Sequence, residues 1–126
     1  MKIHVEITSD PLAARGATAA EAGAGALVEF AGVVRGEENG SEIPGLDYEA
    51  YEAMARSEME RIARELAAAY PCRSLEVLHR IGRVPSGEAS ILVRIEAKHR
   101  AEAFGMLSEF MDRLKRDVPI WKKVAV

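Results

Sequence analysis

The sequence contains a single cysteine, Cys72, among its 126 residues. One cysteine cannot form an intrachain disulfide, nor a CxxC pair for metal binding or redox chemistry. Only the neighbouring Arg73 would favour a thiolate there, so the sequence favours an inert thiol at the start of a strand over a reactive one. Because disulfides are excluded within the chain, we expect a cytoplasmic protein.

Long apolar runs are also missing. The first ten residues hold no signal-peptide core, and no stretch approaches the roughly 18 apolar residues that a membrane span needs. We therefore expect neither a signal peptide nor a membrane anchor. A net charge of −3 argues against nucleic acid as the main partner. The three histidines lack the spacing of metal ligands and no glycine loop opens a helix, so we expect no metal and no cofactor.

About half of the chain, 48%, is apolar, which is enough for a core in one domain over residues 1–126. The residue patterns predict, in order, a strand over 2–8, a weak alanine-rich helix from Asp10-Pro11 to about residue 22, a strand over 26–34, a mobile loop over 36–42, a strand over 44–51, a helix over 53–70, strands over 74–84 and 89–98, and a helix over 100–115. This order predicts an α+β fold with antiparallel strands and helices on one side.

Both long helices are amphipathic in the pattern. The apolar positions of the first are Ala55, Met59, Ile62, Leu66 and Ala69. Those of the second are Ala103, Phe104, Leu107, Met111 and Leu114. We expect these positions to face the core.

The closing segment gathers cations around Trp121, the only tryptophan of an acidic chain. Pro119 cannot lie inside a regular helix, because it lacks an N–H and clashes with the preceding turn. Lys115 and Lys122 are therefore predicted on different elements, a helix end and the segment after it. We interpret the segment as one wall of an anion site, with Trp121 anchoring it against the core.

Other cations stand at predicted element ends. Arg35 ends a strand, and His99-Arg100 opens a helix, where free N–H groups and the helix dipole favour anions. Ordinary surface positions are the alternative for both. His79 shares a strand face with Leu75 and Val77 in the predicted sheet, which favours a core or interface histidine.

Convergence of these cations would create a phosphate site. Like-charge repulsion within it would also lower the pKa of one lysine and make that amine available as an acid, a base or a nucleophile. The set consists of Arg35, His99, Arg100, Lys115, Lys122 and Lys123.

Six segments in order resemble the catalytic (large) subunit of molybdopterin synthase. They are residues 30–35 (FAGVVR), 46–51 (LDYEAY), 79–82 (HRIG), 87–88 (GE), 99–104 (HRAEAF) and 114–123 (LKRDVPIWKK). No segment is decisive alone, but the ordered set is specific and covers the chain from about residue 25 onward.

The resemblance implies an α/β-hammerhead fold and a homodimer that binds a small ubiquitin-like sulfur-carrier subunit at each end, as a heterotetramer. It implies a sulfurtransferase of molybdenum cofactor biosynthesis, in which the carrier's C-terminal Gly-Gly thiocarboxylate gives sulfur to cyclic pyranopterin monophosphate. Two transfers build the dithiolene of molybdopterin. The resemblance implies that Lys115 and Lys122 are the essential lysines. The substrate contacts that it implies are Val33, Val34, Arg35, His99, Arg100, Lys115, Lys122, Lys123 and Val124.

Two other readings remain open at this point. The chain could be a non-catalytic relative that binds an anion or a pterin for regulation, although both lysines are present. It could also be an interaction module whose sheet edge binds another protein.

Overall fold

The computed structural model describes residues 1–16 and 20–126. This part of the chain has the predicted α+β class. Its strands and helices are β1 (Lys2–Thr8), β2 (Ala26–Val33), β3 (Glu37–Glu38), β4 (Ser41–Glu42), β5 (Gly45–Ala50), α1 (Glu52–Leu66), β6 (Ser74–Arg80), β7 (Gly82–Pro85), β8 (Ala89–Ala97), α2 (Arg100–Asp117) and β9 (Ile120–Val124).

The larger sheet has four strands in the order β1-β6-β8-β2. β1 and β6 run parallel, and the other neighbours are antiparallel. Alternate residues of β6 and β8, such as Val77 and Val93, join one buried cluster with Met59 of α1 and Phe110 of α2. Both helices therefore cover the same face of this sheet, as the sequence predicts.

The opposite face of the sheet is polar and is covered in part by the segment after β1. The backbone N–H groups of Arg15 and Gly16 donate to the carboxylate of Glu29 at 3.1 and 3.2 Å. Arg94 donates to the carbonyl oxygen of Gly16 at 2.8 Å. Arg15 and Gly16 thus bond to strands of the sheet.

The helix predicted from Asp10 to about residue 22 is therefore wrong over residues 11–16 and 20–21, which form no regular structure, and at residue 22, where a turn begins. Gly16 has a φ of +72°, which a right-handed helix cannot include. Residues 17–19 of that predicted helix lie outside the described residues.

A second sheet has the order β7-β5-β9 and is antiparallel. The strand predicted over 74–84 is in fact two strands, with β6 in the larger sheet and β7 in the second. Gly82 has a φ of +80°, which lets the chain turn sharply between them. The residue pattern of 74–84 does not reveal that break.

The prediction of a mobile loop over 36–42 is also wrong, because β3 and β4 form a short antiparallel hairpin. Asn39 and Gly40 at its tip have φ values of 51° and 80°. Positive φ at both central residues is the hairpin conformation that Asn-Gly favours. The Asn-Gly pair was the available signal, whereas the charged strands carry no alternating pattern.

The helix faces agree with the sequence pattern only in part. Of the positions predicted to face the core, Leu66, Leu107 and Met111 are partly buried, and the fully buried Ala63, Met106 and Phe110 were not among the predicted positions. In α2 the buried residues are Ala103, Met106, Phe110 and Leu114. Phe104, predicted to be buried, is 58% exposed. In the first helical segment, Ala69 lies beyond the end of α1 and is exposed. Within residues 1–16 and 20–126, neither helix is long and apolar enough to cross a membrane.

Candidate active site

A cleft of about 400 Å³ opens where the two sheets meet the C-terminal part of α2. Its walls come from β2, β5, β6, β8, α2 and β9, so six separate stretches of sequence form it. The lining residues are Phe30, Gly32, Val33, Tyr48, His79, Ser90, Ile91, Met111, Leu114, Lys115, Ile120 and Lys122. Most of this surface is apolar or aromatic, with few polar groups, as is typical of a site for a small organic ligand.

Lys115 and Lys122 both line the cleft. Lys115 belongs to the last turns of α2, which ends at Asp117, and Lys122 belongs to β9. Between them Val118 is buried and Pro119 prevents the helix from continuing. The prediction that the two lysines lie on different elements and share one wall is confirmed.

A smaller cavity of about 90 Å³ adjoins this cleft. Val33, Tyr48 and Lys122 line both, which makes the two spaces neighbours. Arg35 lines the smaller cavity together with Val33 and Val34. The structure thus brings five of the predicted site residues to adjoining spaces: Val33, Val34, Arg35, Lys115 and Lys122.

Backbone contacts with the turn before β8 hold the segment that carries Arg35. The N–H of Val34 donates to the carbonyl oxygen of Glu88 at 3.0 Å, and the N–H of Gly87 donates to that of Val34 at 2.8 Å. The carboxylate of Glu88 in turn accepts a hydrogen bond from Arg80 at 2.7 Å. The β2–β8 register also shifts at Gly32/Val33, an irregularity that re-aims the end of a strand.

The electrostatics of the two spaces differ. Among the described residues, no carboxylate lines the larger cleft, whereas two lysines do. The smaller cavity contains Arg35 and Lys122 but also Glu37 and Glu38 of the hairpin. An anion is therefore favoured in the larger cleft, where low-dielectric walls strengthen attraction to the lysines.

The sequence does not predict His79 and Tyr48 as residues of the cleft. His79 was predicted as a core or interface histidine; it is buried, but it also lines the cleft. Tyr48 contacts the His79 ring edge to face, with ring centroids 5.4 Å apart. Tyr48 pairs with Lys122 in the β5–β9 ladder, a pairing of distant segments that no local pattern indicates.

His99 and Arg100 lie elsewhere in this chain. They stand at the start of α2, and the 15 residues that separate Arg100 from Lys115 span about 22 Å of helix. His99 is exposed, with Nδ1 3.6 Å from the carboxylate of Glu102. Within one protomer, these two residues do not join the lysines.

Lys123 and Val124 continue β9 without lining either space. Successive side chains of a strand point to opposite faces, so Lys123 points away from the side of Lys122. Trp121 was predicted to anchor the segment in the core, and that prediction is wrong. It is 44% exposed and packs edge to face on the exposed Tyr51, with centroids 5.1 Å apart. Val118 and Ala125 are the buried anchors instead.

Cys72 lies near the start of α2, whereas the cleft residue Lys115 lies near the end of that helix. Its thiol approaches the carbonyl oxygen of Glu102, at the opposite end of α2 from Lys115. Burial, reinforced by the charge of Glu102, raises the pKa of Cys72 to about 11. The thiol is thus poorly suited to act as a nucleophile at neutral pH.

The raised pKa of Cys72 predicts that its thiol reacts slowly in the folded protein. At pH 8 roughly one Cys72 in a thousand is a thiolate, so we expect iodoacetamide to alkylate the native protein at least about 100-fold more slowly than the protein unfolded in urea. Mass spectrometry of timed samples measures both rates. Equal rates in the two states would contradict the raised pKa.

The fold and the cleft define a small α+β protein with a basic, largely apolar ligand site. The family model described as "MoaE protein" matches residues 7–117, so the chain belongs to the MoaE family.

Similarity to named relatives agrees with this family membership. The chain is 47% identical over 100 residues to the molybdopterin synthase catalytic subunit of Oryza sativa subsp. indica. The aligned region covers 79% of this chain and 52% of that protein. The chain thus spans about half the length of that relative.

Solved structures share the fold. The molybdopterin synthase of Staphylococcus aureus superposes with a TM-score of 0.84 at 30% identity, covering 94% of this chain and 88% of the other. A complex of subunits 1 and 2 of the molybdopterin-converting factor from Helicobacter pylori superposes with a TM-score of 0.69 at 30% identity, covering 81% and 66%.

Proposed function

We propose that this chain is the catalytic subunit of a molybdopterin synthase. It transfers sulfur from the C-terminal thiocarboxylate of a small ubiquitin-like carrier to cyclic pyranopterin monophosphate, and two transfers yield the dithiolene of molybdopterin. The observation that carries the proposal is the pairing of Lys115 and Lys122 on two elements around one cleft that no carboxylate of the described residues enters.

Both reactants suit this cleft. The substrate carries a cyclic phosphate and the donor is an anionic thiocarboxylate, so two ammonium groups neutralise charge that would otherwise repel. The apolar and aromatic walls fit a flat heterocycle and an extended glycine tail. Lys115 and Lys122 act as the catalytic residues by stabilising charge at the reacting centre, and Val33, Val34 and Arg35 contact the substrate from the neighbouring space.

The sulfur donor explains why no cysteine is needed. A thiocarboxylate already presents a nucleophilic sulfur, so the protein has to bind and orient it instead of holding a persulfide. This is consistent with the raised pKa of Cys72 and with its position near the other end of α2.

A second copy of the chain supplies His99 and Arg100 in this proposal. The two residues are exposed at the far end of α2 from the lysines, so a homodimer in which that end faces the partner's cleft would complete the phosphate site. Lys123 and Val124 are both exposed on β9 and contact the carrier tail from its two faces. The carrier subunits complete a heterotetramer, and the Helicobacter pylori complex of two subunits supports such an association.

We place this activity in the cytoplasm, in one domain over residues 1–126. The substrate is a small molecule, and neither nucleic acid nor a membrane takes part. No cofactor is required, because the carrier delivers the sulfur.

The direct test mixes the purified chain with a thiocarboxylated carrier and cyclic pyranopterin monophosphate. We expect a dithiolene product and two equivalents of carrier carboxylate for each product, measured by chromatography and by mass spectrometry of the carrier. A folded chain that binds the pterin but forms no dithiolene with a competent carrier would contradict the proposal and favour a non-catalytic pterin-binding relative.

A further inference from the structure

His79 is the one cleft residue with an imidazole, and its hydrogen bonding fixes which ring nitrogen carries the proton. Nδ1 lies 2.9 Å from the carbonyl oxygen of Arg80. A carbonyl oxygen can only accept, so Nδ1 must be protonated and donate. In the neutral ring, Nε2 then holds a lone pair.

That lone pair is available to the cleft. Among the described residues, the fully buried side-chain nitrogens and oxygens without a hydrogen-bond partner belong to Arg80 and Arg94. Nε2 of His79 has no protein partner within the same residues and is not one of those atoms. Since His79 lines the cleft while only 4% of it is exposed, Nε2 is reached through the cleft.

The other polar groups of the cleft are poor proton acceptors. The ammonium groups of Lys115 and Lys122 have no lone pair, and Ser90 already donates its hydroxyl to the carbonyl oxygen of Gly32 at 3.3 Å. No carboxylate of the described residues lines the space. A neutral imidazole is the side chain best suited to accept a proton there.

Sulfur transfer creates a need for such a group. Once the carrier's sulfur has bonded to a substrate carbon, the carrier's acyl group remains attached to that sulfur as a thioester. Releasing the carrier requires water to attack the acyl carbon and the acyl C–S bond to break. The geometry points to His79 as the base for this step: Nε2 accepts a proton from the attacking water. This inference rests on the proposed function.

The step balances without an oxidant or a reductant. The water oxygen bonds to the acyl carbon, and Nε2 takes one water proton. The departing sulfur receives the C–S electron pair as a thiolate, and the imidazolium returns its proton to it, which leaves His79 neutral. The second water proton is released when the carrier's new carboxylic acid ionises.

The surroundings keep the ring neutral. Burial lowers the pKa of His79, and the hydrogen bond to Arg80 opposes this only in part. The titratable and charged groups that share the cleft with it are Tyr48 of β5, Lys115 of α2 and Lys122 of β9, while its partners across β1 and β8 are Ile7 and Ile91. Arg80, the next residue of β6, pairs with Glu88 in the turn before β8.

The test compares His79→Asn with the matched variant His4→Asn, in which the exposed histidine of β1 is replaced. Asparagine can still donate an N–H toward the Arg80 carbonyl but cannot accept a proton. We expect His79→Asn to slow carrier release by about 10²- to 10⁴-fold and to accumulate a carrier whose mass is increased by the attached pterin. The rate of carrier release in His4→Asn should match that of the parent protein. Normal turnover in His79→Asn, or slow turnover without the pterin-linked carrier, would overturn the inference.

Two measurements on the unaltered protein keep the test valid if His79→Asn does not fold. Nitrogen-15 NMR should show the His79 proton on Nδ1, and a proton on Nε2 would refute the assignment. Release of the carrier should slow as pH falls through the lowered pKa of His79, and release that becomes faster as pH falls would refute the assignment as well. Failure of the parent protein to form dithiolene would instead reject the proposed function, so the two failures are distinguishable.

Discussion

Replacing Lys122 with alanine is expected to reduce dithiolene formation by at least about 100-fold, the cost of removing one charge-stabilising donor from an active site. The loss is large because Lys122 borders both the cleft and the cavity that contains Arg35. Lys123 cannot replace it, since its side chain points to the other face of β9. Single-turnover assays with saturating thiocarboxylated carrier measure the effect on chemistry.

The fold should survive this change. Lys122 is exposed, and its role in the β5–β9 ladder uses only the backbone opposite Tyr48. Circular dichroism and the urea midpoint of Lys122→Ala should therefore match those of the parent protein. Lys2→Ala is the matched control, because it removes the same charge from an exposed pair with Glu21, far from the cleft, and such pairs contribute little. Retained turnover in Lys122→Ala would contradict the assignment of the catalytic lysines.

Local patterns predict the elements whose residues contact a single layer. The periodicity of α1 and the alternation in β1 and β5 follow from one buried face each, so the sequence indicates them directly. β8 is buried on both faces, yet its alternating apolar residues still indicate a strand. Pro119 likewise indicates the break between α2 and β9, and with it the separation of the two lysines.

The features that the sequence does not predict depend on contacts between segments that are far apart in the chain. The turn at Gly82 sends β7 to a different sheet, where it pairs with β5, a strand distant in sequence. Tyr48 and His79 reach the cleft because β5 pairs with β9 and β6 ends beside it. Phe104 is exposed because the buried residues of α2 are Ala103, Met106, Phe110 and Leu114, a stripe that the helical pattern alone does not single out.

Replacing Phe110 with alanine is expected to destabilise the protein by about 3–5 kcal/mol, the usual cost of emptying a well-packed aromatic site. Phe110 is fully buried and is the largest such side chain of the core. It lies in the cluster where α2 meets the sheet and α1, so its removal leaves a cavity between layers that are fixed by several other contacts. The free energy of unfolding comes from urea titration followed by circular dichroism.

Phe104→Ala provides the matched comparison, since it removes the same side chain from the same helix at a position that is 58% exposed. We expect its free energy of unfolding to change by no more than about 0.5 kcal/mol, as for other surface substitutions. The contrast separates the effect of burial from that of helix propensity, because Phe is exchanged for Ala in both variants. Equal destabilisation by the two changes would show that α2 packs on the sheet with a different face, and the position of Lys115 at the cleft would have to be reconsidered with it.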